Sequence, residues 1–238
     1  MGGIFNLDGP FFKFGNIIAD IMILSAIWFL FSIPIVTIGA STTALFYVTT
    51  RRISDREGYL FQDFFTSFKS NLKRATLLWL LWLGMFLLIL ANIYMLLNFD
   101  FNPTLVTILI PVQIVILVEL VFMSVYLYPI TARFEMDFKQ TLKNSFYMAN
   151  RHLLTTISCL VMGVAVILAA ALIFEPILLV GMGIYAYSTS YMIVNIFKKY
   201  RPEIDAENLA EQPLKPLDIN MDEDYTKEEP ADADDREN

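Results

Sequence analysis

Four long apolar runs, at 75–97, 104–129, 153–173 and 176–197, constrain this chain more than any other feature. A hydrocarbon core about 30 Å thick is crossed by about 20 apolar residues in a helix. Inside it each backbone N–H and C=O must find a partner within the segment, so such runs are helical. Composition agrees. Of 238 residues, 56% are hydrophobic and 17% charged, against roughly 45–50% and 25% in soluble domains. This excludes an intrinsically disordered chain and a nucleic-acid binder with a basic surface. It also excludes a small disulfide-stapled domain, because the single cysteine, Cys159, has no internal partner.

The stretch 16–48 is too long for one ordinary span, and Pro34 interrupts it. Proline removes a donor and clashes with the preceding turn. Gly39, five residues on, favours a break over a kink. The reading is a helix over 15–33, a turn at 34–37 and a shorter helix returning over 38–51. The expected fold is therefore all-α: a polytopic membrane helix bundle with about six membrane segments. It has five if 15–51 is one kinked span.

Basic residues set orientation. The loop 51–74 carries Arg51, Arg52, Arg56, Lys69, Lys73 and Arg74; the loop 130–152 carries Arg133, Lys139, Lys143 and Arg151. The last run ends at Lys198, Lys199 and Arg201, whereas the short turns between the runs hold only Asp100 and Glu175. The alternation places the basic loops and the C-terminus in the cytoplasm. With six segments the N-terminus joins them, in agreement with Lys13. The start does not read as a signal peptide: its apolar run is too long and lacks a small-residue cleavage site.

Charge divides the chain in two. Residues 201–238 hold 14 acids and 4 bases, a net of −10, and the first 200 residues hold 10 acids and 13 bases, a net of +3. The expected organisation is a membrane helical domain over 1–199 and a disordered acidic cytoplasmic tail over 200–238, since so few apolar residues cannot offset chain entropy.

Two polar segments carry apolar residues at helical spacing: Phe64, Phe68 and Leu72, then Phe138, Leu142 and Phe146. Each trio shares one helical face. They predict two amphipathic helices on the cytoplasmic interface. Each is followed by a membrane hairpin, so a unit of amphipathic helix, span and span over 59–129 and 135–198 reads as a parallel repeat. Its bland alternative is two unrelated helices that each lead into a span.

No phosphate-binding loop of the GxxxxGK(S/T) type and no GxGxxG is present. One histidine, His152, excludes a multi-histidine metal site. It lies seven residues, close to two turns, from Cys159, too far for a nucleophile pair. No catalytic residue, metal site or cofactor is expected, and enzyme activity is not.

Acids within spans are costly, about 2.5–3.5 kcal/mol for Asp at mid-helix, so each marks a candidate functional site. Asp20 sits in the first helix with Asn16 one turn below. Glu119 sits in 104–129 with Tyr126 back on its face. No Lys or Arg lies deep enough to be an obvious partner. Either acid is then protonated, faces a wet cavity or a neighbouring protein, or locks two helices through a hydrogen bond. Ser188, Tyr191 and Asn195 form a polar stripe read as helix glue, and Ala40/Ala44 and Ala165/Ala169 are close-packing pairs.

The run FSIPIVTIGASTTALFYV at 31–48 resembles the signature of the YesL-like family of bacterial integral membrane proteins. MGGIFN at 1–6 and GYLFQDFFTSFK at 58–69, leading into ATLLWL at 75–80, resemble it too. The likeness covers roughly residues 1–200. The family often carries a second proline after the glycine, where this chain has Ala40. Its members are often encoded beside binding-protein-dependent sugar importers and polysaccharide-degrading enzymes. The resemblance implies a multi-pass protein of the bacterial cell membrane with an accessory role in carbohydrate uptake; it brings no catalytic residues. The expected function is an accessory subunit or regulator of a carbohydrate ABC importer, docking on its permeases or ATPase. The alternative is an autonomous solute transporter or channel using the intramembrane acids. Pro34, Gly39, Ser41, Thr42 and Thr43 form a candidate helix-break or docking motif, because Pro34 disturbs the helix, Gly39 allows close approach and the hydroxyls can satisfy freed carbonyls.

Overall fold

The computed structural model describes residues 10–54, 59–99, 101–172 and 177–200. Seven α-helices follow one another: α1 Pro10–Ser32, α2 Ile38–Ile53, α3 Leu60–Asn98, α4 Pro103–Arg133, α5 Phe138–Arg151, α6 Leu153–Leu172 and α7 Ile177–Tyr200. No strand occurs among the described residues. Four helices are long and apolar enough to cross a membrane: α1 from Gly15, α3, α4 and α6. They point to a membrane protein. The acidic tail, Arg56, Asp100 and Glu175 lie outside the described residues.

The chain breaks where Pro34 predicts. Helix α1 stops at Ser32, a 3-10 turn occupies Ile35–Thr37, and α2 starts at Ile38. At 16 residues, α2 is only about 24 Å long. Every residue from Gly39 to Thr50 is buried, so α2 is the centre of the bundle rather than a lipid-facing helix. It packs against α3, α4 and α7. Leu45, Phe46 and Val48 meet Phe64, Tyr126, Ile130, Ile193 and Phe197 in one core. Phe31 of α1 closes the same core, with its ring 5.7 Å from that of Phe64 and 5.0 Å from that of Phe68. Lipid is as apolar as a leucine core, so burial alone drives no association there. Small side chains that let backbones approach, and hydrogen bonds between helices, decide the packing.

The expected interfacial helix at 59–74 is not a separate element. It runs without interruption into the following apolar run as the 39-residue α3, about 58 Å long and well beyond a hydrocarbon core of about 30 Å. No proline falls within Leu60–Asn98 to stop it. In the second half, by contrast, α5 ends at Arg151 and α6 starts at Leu153, with His152 between them at φ −111° and ψ 51°. The two expected repeat units therefore differ at the joint that should define them.

Helix α5, the second expected amphipathic helix, is a separate element. Its buried face is Thr141, Asn144, Ser145, Met148 and Ala149. Phe138 and Leu142 are only half-buried and Phe146 is exposed. The apolar stripe thus points away from the bundle and the small polar face packs inward against α4. Thr141 and Ser145 spend their hydroxyls on the backbone, Ser145 Oγ donating to Thr141 O at 2.8 Å and Thr141 Oγ1 to Asp137 O at 3.0 Å. A small face lets α5 lie close, and an outward aromatic face suits an apolar solvent. Ser145→Leu is therefore expected to cost about 1–3 kcal/mol by overpacking. Phe146→Ser is expected to cost under about 0.5 kcal/mol. Unfolding midpoints of the two variants in mild detergent check which face packs inward; equal losses would contradict it.

Candidate functional site

The motif between α1 and α2 is a fully bonded turn. Thr37 Oγ1 lies 2.7 Å from Phe31 O and 2.8 Å from Pro34 O, and Thr37 N donates to Pro34 O at 2.9 Å. The bond to Phe31 O takes up a carbonyl that the end of α1 leaves without an intrahelical partner, and the bonds to Pro34 O close the turn. Ser32 Oγ and Ser41 Oγ share a hydrogen bond of 2.6 Å across the break. Trp28 Nε1 donates to Thr42 Oγ1 at 3.1 Å, Thr43 Oγ1 to Gly39 O at 2.8 Å, and Trp79 Nε1 to the turn carbonyl of Ile35 at 2.8 Å. Gly39 lies against α3 so closely that an added Cβ would run into Trp79 Cβ and sit 2.6 Å from Ala75 O. The five candidate residues thus share one place. Ser41, Thr42 and Thr43 are buried, and their hydroxyls are all engaged.

Asp20 has a basic partner after all. Arg52, at the end of α2, places Nη2 3.3 Å from Asp20 Oδ1 as donor and Nε 3.1 Å from Asp20 Oδ2. The break explains the meeting. Asp20 lies 12 residues before the end of α1 and Arg52 lies 14 after the start of α2, about 18 Å and 21 Å along antiparallel axes. Next to it, Arg51 Nη1 donates to Asp63 Oδ1 at 3.0 Å and to Tyr47 Oη at 3.2 Å. The sequence reading missed both pairs because it treated 51–74 as a loop. The similar spacing of residues 20 and 52 from the break, 12 and 14 residues, was the available signal.

Glu119 does not meet Asp20. Its Oε1 accepts from Asn150 Nδ2 of α5 at 2.7 Å. Asn150 also donates to Phe146 O at 3.0 Å, which anchors it on its own helix. Tyr126, expected on the same face, is fully buried in the core, while Glu119 is partly exposed.

Two expected packing devices are displaced. On α7, Tyr191 and Asn195 are exposed; the neighbouring hydroxyls are the glue, Ser190 Oγ lying 2.8 Å from Thr49 Oγ1 of α2. On α6, Ala165 is exposed, and close contact comes instead at Gly163, facing the Tyr185 ring, and at Gly181 of α7, facing Val166. Ala40 and Ala44 are fully buried, as a close-packing pair requires. Cys159 is a buried free thiol, and His152 Nε2 lies 2.9 Å from Tyr200 Oη rather than near it. Among the described residues no group of three or more His, Cys, Asp or Glu is placed to hold a metal.

Two clefts are large. An apolar one of about 600 Å³ lies among α1, α6 and α7, with Trp28, Ile33, Val166, Met182 and Tyr185 in its wall. A polar one of about 580 Å³ lies between α3 and the end of α4, lined by Asn71, Arg74, Thr131 and Arg133 among others. Neither includes Asp20 or Glu119.

Residues 21–93 match the family model described as a protein of unknown function, DUF624. The matched stretch contains most of α1, all of α2 and most of α3. It therefore holds the Pro34 break, the Gly39 contact and the Arg52 side of the Asp20 pair. No curated protein and no solved structure matches the chain.

Proposed function

We propose that this chain is a non-enzymatic, multi-pass accessory subunit or regulator of a carbohydrate ABC importer in a bacterial cell membrane, with its basic end and C-terminus in the cytoplasm. The observation that carries the reading is the filled centre. A short helix, buried along Gly39–Thr50 and packed against α3, α4 and α7, fills the centre of the described bundle. Both intramembrane acids are spent on structural contacts, Asp20 on Arg52 and Glu119 on Asn150. The bacterial membrane and the importer as partner rest on the YesL-like resemblance of 31–48 and 58–80. The orientation rests on the basic residues around 51–74 and 130–152. In this reading the apolar cleft among α1, α6 and α7 offers a membrane-level recess for a permease helix.

The test is co-purification of the tagged full chain in mild detergent from cells grown on a complex polysaccharide. Importer permeases or their ATPase are expected with it; reproducible recovery of the chain alone counts against the reading. Glu119→Gln supplies a second arm. Its amide oxygen can still accept from Asn150, so the variant is expected to fold and to recover the same partners. Reconstituted liposomes in which wild-type protein carries solute or proton flux, and Glu119→Gln reduces it, would instead make this an autonomous transporter.

A further inference from the structure

The polar cleft between α3 and α4 has the chemistry of an anion site. Ser70, Asn71 and Arg74 line it from α3, and Thr131, Arg133 and Glu135 line it from the end of α4 and the segment beyond. Arg133 is 4% exposed. Arg74 is held by neutral acceptors only: Nη2 donates to Thr141 Oγ1 at 2.8 Å and to Phe134 O at 3.3 Å. Its Nε is buried and makes no hydrogen bond among the described residues. Glu135 and Asp137 act on Arg74 electrostatically, but neither forms an ion pair with it. A guanidinium taken out of water is costly unless it is paired and hydrogen-bonded. Here the backbone carbonyl and the threonine fix Nη2, and the guanidinium forms part of the cleft wall.

The position of the cleft indicates the source of that ligand. Along α3, Arg74 comes three residues before Leu77, an exposed large apolar side chain at the start of the long apolar run that goes on through the exposed Leu80, Leu81 and Met85. Three residues are about 4.5 Å of helix rise. Arg74 is therefore at the depth where a bilayer passes from acyl chains to headgroups. Basic pockets between membrane helices at that level suit phosphate-bearing headgroups, and a guanidinium binds a phosphate through paired charge-assisted hydrogen bonds.

We propose that the Arg74–Arg133 cleft binds the phosphate of an anionic phospholipid headgroup, with Arg74 as the principal donor and Ser70, Asn71 and Thr131 as neutral hydrogen-bonding partners. This site is independent of the importer reading, because it requires only a membrane. The experiment is native mass spectrometry of the full chain in mild detergent, titrated with phosphatidylglycerol or phosphatidylcholine, with and without inorganic phosphate. Phosphatidylglycerol is expected to bind more tightly than phosphatidylcholine. Arg74→Gln is expected to weaken phosphatidylglycerol by about tenfold or more, the loss of at least one charge-assisted bond. Ser70→Asp leaves Arg74 and its two acceptors in place and adds a negative charge to the cleft wall; it is expected to weaken the lipid similarly. Both variants should elute from size exclusion as the wild type does. Competition by inorganic phosphate at millimolar concentration would make free phosphate the ligand of the same site; its absence would assign the site to the lipid. Equal binding of the two lipids, or phosphatidylglycerol affinity unchanged in either variant, overturns the proposal.

Discussion

Gly39→Ala is expected to lower stability by about 2–3 kcal/mol, near the top of the usual overpacking range. The new methyl would meet Trp79 Cβ and the Ala75 carbonyl, both on α3. Neither is the free end of a flexible chain. Trp79 is further held by its indole bond to Ile35 O at 2.8 Å. Relief therefore requires α2 and α3 to separate, and that seam joins the buried centre to the longest helix. At roughly 2–4 °C per kcal/mol for a chain of this size, the midpoint should fall by about 4–12 °C. Gly84→Ala is the control. Nothing lies within 4 Å of its added Cβ, and alanine is the better helix former by about 1 kcal/mol, so the midpoint should hold or rise. Circular dichroism melts in one detergent compare the two. A Gly39→Ala midpoint equal to that of Gly84→Ala would show that the close approach is not needed.

Arg52→Gln is the second large effect. Removing one partner of a fully buried ion pair costs about 3–5 kcal/mol, because the other charge is left stranded. Here the side chains of Arg52 and Asp20 are 31% and 17% exposed. Solvent screening discounts the loss to about 1–3 kcal/mol. Asp20→Asn should cost a similar amount. The double variant removes both charges and leaves a neutral amide pair, so it should lose less than the sum of the singles, with a coupling of about 1 kcal/mol or more. Strict additivity in the same melts would mean that the pair does not hold α1 to α2. The outcome also bears on function. If Asp20 serves structure, Asp20→Asn paired with Arg52→Gln should keep whatever partners the wild type recovers.

How much of this was legible beforehand varied by residue. Pro34, followed by Gly39, marked the helix break, because proline's missing donor and fixed φ act locally. On α3 the spacing put Phe64 and Phe68 on one face, expected at the membrane interface, but both side chains are buried in the bundle core. On α5 the same spacing leaves Phe138 and Leu142 half-buried and Phe146 exposed. Periodicity finds the apolar face of a helix but does not say whether the protein or the lipid receives it. The polar candidates fared likewise. Asp20 and Glu119 stood out as acids in apolar runs, yet their partners Arg52 and Asn150 lie 32 and 31 residues away. Such pairings depend on where a chain returns after a turn. The Arg74–Arg133 cleft was unreadable for the same reason, since 59 positions separate its two arginines.

The sequence by itself determined what local physics controls: helices across the described residues, long apolar runs suited to a bilayer, and a break at Pro34. Tertiary structure alone decided that the short returning helix α2 is the core, that α5 buries its polar face, and which charges pair. Side chains repeat the same periodicities whether they face lipid or a neighbouring helix. Only the approach of one backbone to another, as at Gly39 against Ala75, separates the two cases.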